Sequence, residues 1–389
     1  MHLSTSPNAL ATDARRLSQL YGDAEDLLPL WIAEPYLPLA PAITEAVNAR
    51  AGLEWYGYEA RPPAVVGSFW QWMRTRNGWD NAGLETTISP SVGTSIGVII
   101  DAFSKDGDGV ILQPPVFTDF KPLIVRADRQ PARNSLDLTN DGYRMNLDHL
   151  EELAADPSNK VMILCNPHNP IGRAWTQDEL TAVARICAAN DVLVIADEIH
   201  ADLVLEPHRF TPFAVAAADT GARWVAIHGP IKTFGVAGLC DTLLISDDEE
   251  ATEAFRAASS RLHLTRNNVV ALAAFVAGYR DSAEWVDELK TLAATNVAVL
   301  RDGLPEPLGV VDMEATYLAW LDLRGLGLEV PELARWLADS ARLALSPGHW
   351  FGREGAGFAR MTIAAPTDVI EEATARLRQA VSLTGMQGS

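Results

Sequence analysis

Through the middle of this 389-residue chain, short apolar runs that end in polar or glycine-rich turns alternate with helical patterns. The runs lie at 109–112, 161–165, 192–196, 224–228 and 242–246, and all are rich in Val, Ile, Leu or Ala. A near-continuous apolar run is what a strand needs when helices cover both faces of its sheet, so the pattern predicts an α/β domain with a mostly parallel central sheet. Between the second and third runs, Thr176-Gln-Asp-Glu179 forms a capping box that predicts a helix through Ala182, Val183 and Ile186, which completes a βαβ unit. In such sheets ligands collect beyond the carboxyl ends of the strands, so the residues just after each run are the first candidates for chemistry.

Three of those ends carry groups that belong together. Asn-Pro-His-Asn-Pro-Ile-Gly at 166–172 supplies amides in a loop, Asp197 and Glu198 end the third run, and Lys232 stands four residues after the fourth. A lysine amine can close a Schiff base with an aldehyde, an acid can keep a pyridine nitrogen protonated, and an amide can bond a phenolic oxygen. Together these are the demands of pyridoxal 5'-phosphate (PLP). Taken alone, Asp197 could be a helix cap. Its place at the end of an apolar strand, upstream of the lysine motif, favours the cofactor role.

A net charge of -20 argues against nucleic acid and anionic membranes as partners. No apolar run reaches membrane-span length and the first residues lack a signal-peptide core, so a cytoplasmic location is expected. Cys165, Cys187 and Cys240 are few, odd in number and without paired ligand spacing, which points to buried thiols instead of disulfides or zinc. Beyond about residue 280 the pattern changes to a long helix over 283–304, a strand-like stretch at 315–323 and a terminal helix after Thr367. Residues 41–280 are therefore expected to form a large domain. Residues 1–40 and 281–389 are expected to form a smaller α+β one, with Trp31-Ile-Ala-Glu-Pro-Tyr36 contacting substrate instead of filling core.

These motifs, with Trp-Tyr-Gly-Tyr at 55–58, Gln-Pro-Pro-Val-Phe at 113–117, Ala-Gly-Leu at 237–239 and Phe-Ala-Arg-Met at 358–361, resemble fold-type I PLP enzymes of the class I/II aminotransferase superfamily. Within it the Asp-Glu-Ile-His segment at 197–200 is most similar to the cystathionine β-lyase, or carbon–sulfur lyase, branch. The resemblance implies a PLP-dependent transferase fold, with Lys232 as Schiff-base lysine and base, Asp197 on the pyridine nitrogen, and Asn169 and His200 facing the phenolic oxygen. It also implies that Phe117 stacks on the cofactor ring and that Val92, Gly93 and Thr94 hold the phosphate at a helix N-terminus. Tyr58 would reach the phosphate of a neighbouring subunit in a homodimer, and Arg360 would grip the substrate carboxylate beside Asn169, Glu34 and Tyr36. The bland readings are core for Phe117, backbone satisfaction for His200, a turn at Gly93 and a surface charge for Arg360. The last would leave a guanidinium between apolar Phe358 and Met361.

Some positions depart from the branch pattern. Gly229, Pro230 and Ile231 stand where small hydroxyl residues are usual, Gly235 replaces an asparagine, Glu34-Pro-Tyr36 alters a substrate wall, and Thr367 replaces an arginine. The implied reaction is α,β-elimination from a cysteine S-conjugate or cystathionine-like thioether. Transamination and oxidative or decarboxylative deamination in specialised biosynthesis are the enzymatic alternatives. A regulator-binding protein that retains the fold is the non-enzymatic one.

Overall fold

The computed structural model describes residues 3, 5–81, 83–239 and 241–383. Its centre is a seven-stranded sheet made of β1 (Glu85–Ser89), β2 (Gly109–Leu112), β3 (Gln130–Arg133), β4 (Asn159–Cys165), β5 (Leu193–Asp197), β6 (Trp224–His228) and β7 (Thr242–Ser246). The spatial order is β1-β7-β6-β5-β4-β2-β3. Neighbours from β3 through β6 pair in parallel, whereas β7 runs antiparallel to both β6 and β1. All five predicted runs are strands, and β2, β5, β6 and β7 are buried along their whole length.

Helices cover both faces. The helix α1 (Val92–Phe103) packs Ile96, Ile99 and Ile100 onto one face together with Val110, Val161, Ile195 and Ile227. On the other, α2 (Gln177–Ala189) sets Leu180, Val183 and Cys187 against Met162, Leu164 and Val194. The predicted capping box starts α2: Thr176 Oγ1 accepts from Glu179 N, and Glu179 Oε2 accepts from Thr176 N. Such a cap contributes about 1 kcal/mol.

A second sheet of four strands, β8 (Gly309–Val310), β9 (Leu318–Asp322), β10 (Ser346–Pro347) and β11 (Phe358–Thr362), has the order β8-β9-β11-β10 and is antiparallel throughout. The long helix α4 (Ala283–Gly303) and the terminal helix α5 (Thr367–Leu383) lie against it; the one-turn α3 (Pro230–Thr233) precedes them in the chain. The predicted helix at 283–304 and strand at 315–323 are thus present, with the strand trimmed by the turn at Thr316, whose φ is 74°.

The segment 28–36 corrects one expectation. Leu28 and Pro29 pair in parallel with Leu343 and Ala344, Thr362 N donates to Leu30 O, and Tyr36 N donates to Ala364 O. Strapped to the small sheet in this way, Ala33 and Tyr36 become core, and Trp31 packs edge-on to Tyr21. The segment was expected to lie outside the core. Within it Leu28, Ile32, Glu34 and Pro35 keep partial exposure.

Candidate active site

The ends of β4, β5 and β6 converge as the topology requires. Asn169 lies in the loop after β4, Asp197 is the last residue of β5, and Lys232 sits on α3, which Pro230 starts two residues after β6 ends at His228. The strand ends are held in register by Asn166 N donating to Asp197 O and Glu198 N donating to Ile227 O. Gly229 allows the close approach there, since a Cβ would fall 3.0 Å from Thr242 Cγ2. Gly235 has φ of 69°, and a side chain would press on the Pro35 ring at 3.3 Å. Both departures from the branch pattern thus have a packing reason.

Lys232 Nζ donates to Ala33 O at 2.8 Å. Burial and the nearby charge of Arg360 push its ammonium down to about 8, against the opposing pull of Glu34 and Asp197, so a neutral, nucleophilic amine is accessible near neutral pH. Asp197 is buried, which raises its carboxyl to about 6; the N–H of Ile199 and the charge of Lys232 act in the other direction. Its Oδ1 accepts from Ile199 N, and among the described residues its second oxygen makes no hydrogen bond. The acid needs a cationic partner to stay ionised without cost.

Arg360, in the middle of β11, is opposite Trp320 and Ser346. Its Nη1 donates to Asn169 Oδ1 and its Nη2 to Trp31 O, both at 3.0 Å, while its guanidinium lies 4.8 Å over the Phe351 ring. It is buried, its Nε has no partner, and among the described residues no carboxylate pairs with it. Burial lowers its pKa to about 10. A buried guanidinium without a counter-charge costs several kcal/mol, which a bound carboxylate offsets.

The expected residues fall into two groups. His200 is buried with Nδ1 unpartnered, and burial with the charges of Lys232 and Arg360 holds its imidazole well below the usual range, hence neutral. Glu34 is raised by burial and lowered by Lys232. Tyr36 is buried, with Glu34, the Ile32 backbone and Arg360 bearing on its hydroxyl. These side chains share one chamber with Lys232, Asp197, Asn169 and Arg360. The others have surroundings of their own. Val92, Gly93 and Thr94 form the first turn of α1, where Thr94 N is already bonded to Ser91 Oγ at 3.1 Å and a Cβ on Gly93 would meet nothing within 4 Å. Phe117 is half-buried and edge-on to Phe120 at 5.5 Å. Tyr58 is 87% exposed, with Arg266 5.5 Å from its ring.

Two residues of the chamber were not anticipated. Tyr317 Oη donates to Lys232 O at 3.3 Å, and Ser346 Oγ donates to Trp31 O at 2.8 Å beside Arg360. Tyr317 lies in a motif singled out above but reads there as strand core, and Ser346 has no local signal. Cys165 and Cys187 are buried thiols, whereas Cys240 lies outside the described residues.

The residues fit PLP. The unbonded oxygen of Asp197, the orphaned Nδ1 of His200, the open face of Gly93 at a helix N-terminus and the depressed Lys232 match its ring nitrogen, phenolic side, phosphate and aldehyde in kind.

Residues 40–377 match the family Aminotransferase class I and II, and the chain belongs to that family. It is 34% identical to "Cystathionine beta-lyase PatB" of Bacillus subtilis, over 94% of this chain and 95% of that one. To "Protein MalY" of Escherichia coli it is 30% identical, over 92% of each chain. Among solved structures it is similar to a PLP-bound putative aminotransferase from Clostridium difficile, with a TM-score of 0.91 and 31% identity over 96% of both chains.

Proposed function

We propose that this chain is a PLP-dependent carbon–sulfur lyase that carries out α,β-elimination on an L-cysteine S-conjugate or a cystathionine-like thioether amino acid. The observation that carries it is the buried Arg360, free of any carboxylate partner among the described residues and bonded to Asn169 in the chamber of Lys232. Such a group selects an amino-acid carboxylate. The similarity to PatB favours elimination among the reactions of the family.

When bound, PLP supplies an electron sink for charge that develops on the substrate α-carbon. Arg360 binds the carboxylate through its planar fork and orients the α-carbon toward Lys232. Lys232 Nζ takes the α-proton, its basicity set by burial against the charges of Arg360, Glu34 and Asp197. Asp197 would hold the cofactor's ring nitrogen protonated by charge pairing, and the neutral His200 with Asn169 would serve its phenolic oxygen. Burial of Tyr36, Tyr317 and Trp31 keeps water away from these groups. With one water consumed overall, the products are a thiol, ammonia and a 2-oxo acid.

Incubation with a cysteine S-conjugate is expected to release free thiol and 2-oxo acid in equal amounts with no oxo-acid acceptor present. Accumulated pyridoxamine phosphate would instead mean transamination, and oxygen uptake with carbon dioxide release and an intact thioether would mean the oxidative route. In the same assay Arg360→Lys should raise KM about 10–100-fold, the worth of one charged hydrogen bond, with less effect on cofactor retention. Unchanged kinetics would place Arg360 outside the substrate site. The intact Lys232, Asp197 and Asn169 count against a purely regulator-binding role.

A homodimer whose sites are completed by Tyr58 of the neighbouring subunit accords with that side chain's 87% exposure, next to the exposed Trp55 and Tyr56. A cytoplasmic location belongs to the same proposal, and among the described residues no helix is long and apolar enough to cross a membrane.

A further inference from the structure

Behind the chamber lies a buried polar cluster that the proposed reaction does not use. Glu198 is fully buried, yet every oxygen of its carboxylate faces a polar group. Oε1 accepts from Asn166 Nδ2 at 2.9 Å and from Phe213 N at 2.7 Å. Oε2 lies 2.8 Å from His228 Nε2, close enough for an ion pair though not aligned as a hydrogen bond. His228 is itself 2% exposed, enclosed by the rings of Phe69, Trp79 and Phe210 at 5.3, 5.4 and 6.2 Å.

The positions of the three residues matter more than their number. Asn166 opens the loop that carries Asn169, Glu198 follows Asp197, and His228 ends β6 four residues before Lys232. One carboxylate therefore joins the ends of the three adjacent strands whose next residues build the chamber. Replacing it with an apolar side chain would leave the buried Phe213 N without an acceptor, at about 1–3 kcal/mol, leave Asn166 Nδ2 with Thr211 O alone, and take the carboxylate away from His228 Nε2. Backbone pairing alone fixes the register of β4, β5 and β6; it does not fix how the segments after them splay.

We propose that Glu198, through Asn166 and His228, is a positioning residue that sets the mutual placement of Asn169, Asp197 and Lys232 for the cofactor, and that it does so by charge as well as by shape. The inference rests on the PLP reading of the site. Asp197 is the group on which the charge acts directly, because Lys232, His228 and Glu198 are the charged or titratable side chains that bear on it.

The test compares Glu198→Gln, His228→Gln and the double variant as full-length proteins. Amide hydrogen exchange of the cofactor-free proteins should quicken about tenfold at 166–172 and 229–234 in each single variant, while the rest of the large sheet exchanges as before. With PLP added, the dissociation constant should rise about tenfold and the pH midpoint of the visible cofactor band should shift, with kcat falling more than KM rises. Because the two residues act as a unit, the double variant should lose no more than the worse single one. Wild-type exchange and an unmoved band in Glu198→Gln would overturn the proposal, as would losses that simply add in the double variant. Should Glu198→Gln fail to fold, His228→Gln alone gives the same readings with the carboxylate retained. Failure of wild-type protein to bind PLP would sink the cofactor reading instead, and the exchange measurement on cofactor-free protein still decides whether Glu198 orders the two loops.

Discussion

Lys232→Ala protein is expected to lose turnover of a thioether amino acid by at least about 10⁴-fold, the upper range for a positioned proton-transfer group, while keeping its fold. The variant removes one hydrogen bond, from Nζ to Ala33 O, and an ammonium whose burial is itself unfavourable, so no stability need be lost. Mixed with Tyr58→Phe subunits, it should regain activity in heterodimers through one site with both residues intact. Absence of recovery in proven heterodimers would mean that each site is built within one chain. Turnover within tenfold of wild type in the pure variant would remove Lys232 from the chemistry altogether.

Asp197→Asn should lower kcat about 10²–10³-fold, the usual cost of removing one preorganised electrostatic partner of a developing charge. The same substitution should stabilise the cofactor-free protein at neutral pH. Asp197 in the folded chain is raised from 3.8 to about 6, so between about pH 4 and 6 the folded state holds a proton that the unfolded state has released. Stability of the wild-type apoprotein therefore falls as pH rises through that window and is lower above it. An asparagine escapes the penalty, a gain on the order of 1–3 kcal/mol at pH 7 and none near pH 3. Thermal unfolding of both apoproteins at the two pH values measures this. A variant destabilised equally at both would show that Asp197 is structural and that the loss of turnover is a folding effect.

Much of this arrangement was legible in the chain because burial on both faces leaves a strong mark. The β5 run is made of Val, Leu, Ile and Ala alone and the β6 run is apolar up to His228, and the chemistry follows shortly after them. Two strands of the large sheet escaped notice, for a reason visible in their composition. β1 is Glu-Thr-Thr-Ile-Ser and β3 is Gln-Pro-Ala-Arg; both sit at the edges of the sheet, where half the surface faces water and even Pro is tolerated. The helix start at Thr176 was readable because a capping box is a local device. Tyr36 was misread for the opposite reason. Its burial depends on Ala364, more than 300 residues away, and nothing within Glu-Pro-Tyr signals such a contact. Ser346 and Tyr317 were missed likewise, since each acquires its role only when β9, β10 and β11 bring it beside Arg360 or Lys232.

The central claim is that the ends of β4, β5 and β6 make one PLP site closed by Lys232. It is tested most directly by reducing PLP-loaded protein with borohydride and mapping the modified peptide. The account predicts loss of the visible band and a single pyridoxyl label on Lys232. A label on another of the chain's lysines, such as Lys121 or Lys290, or protein that takes up no PLP, would contradict it.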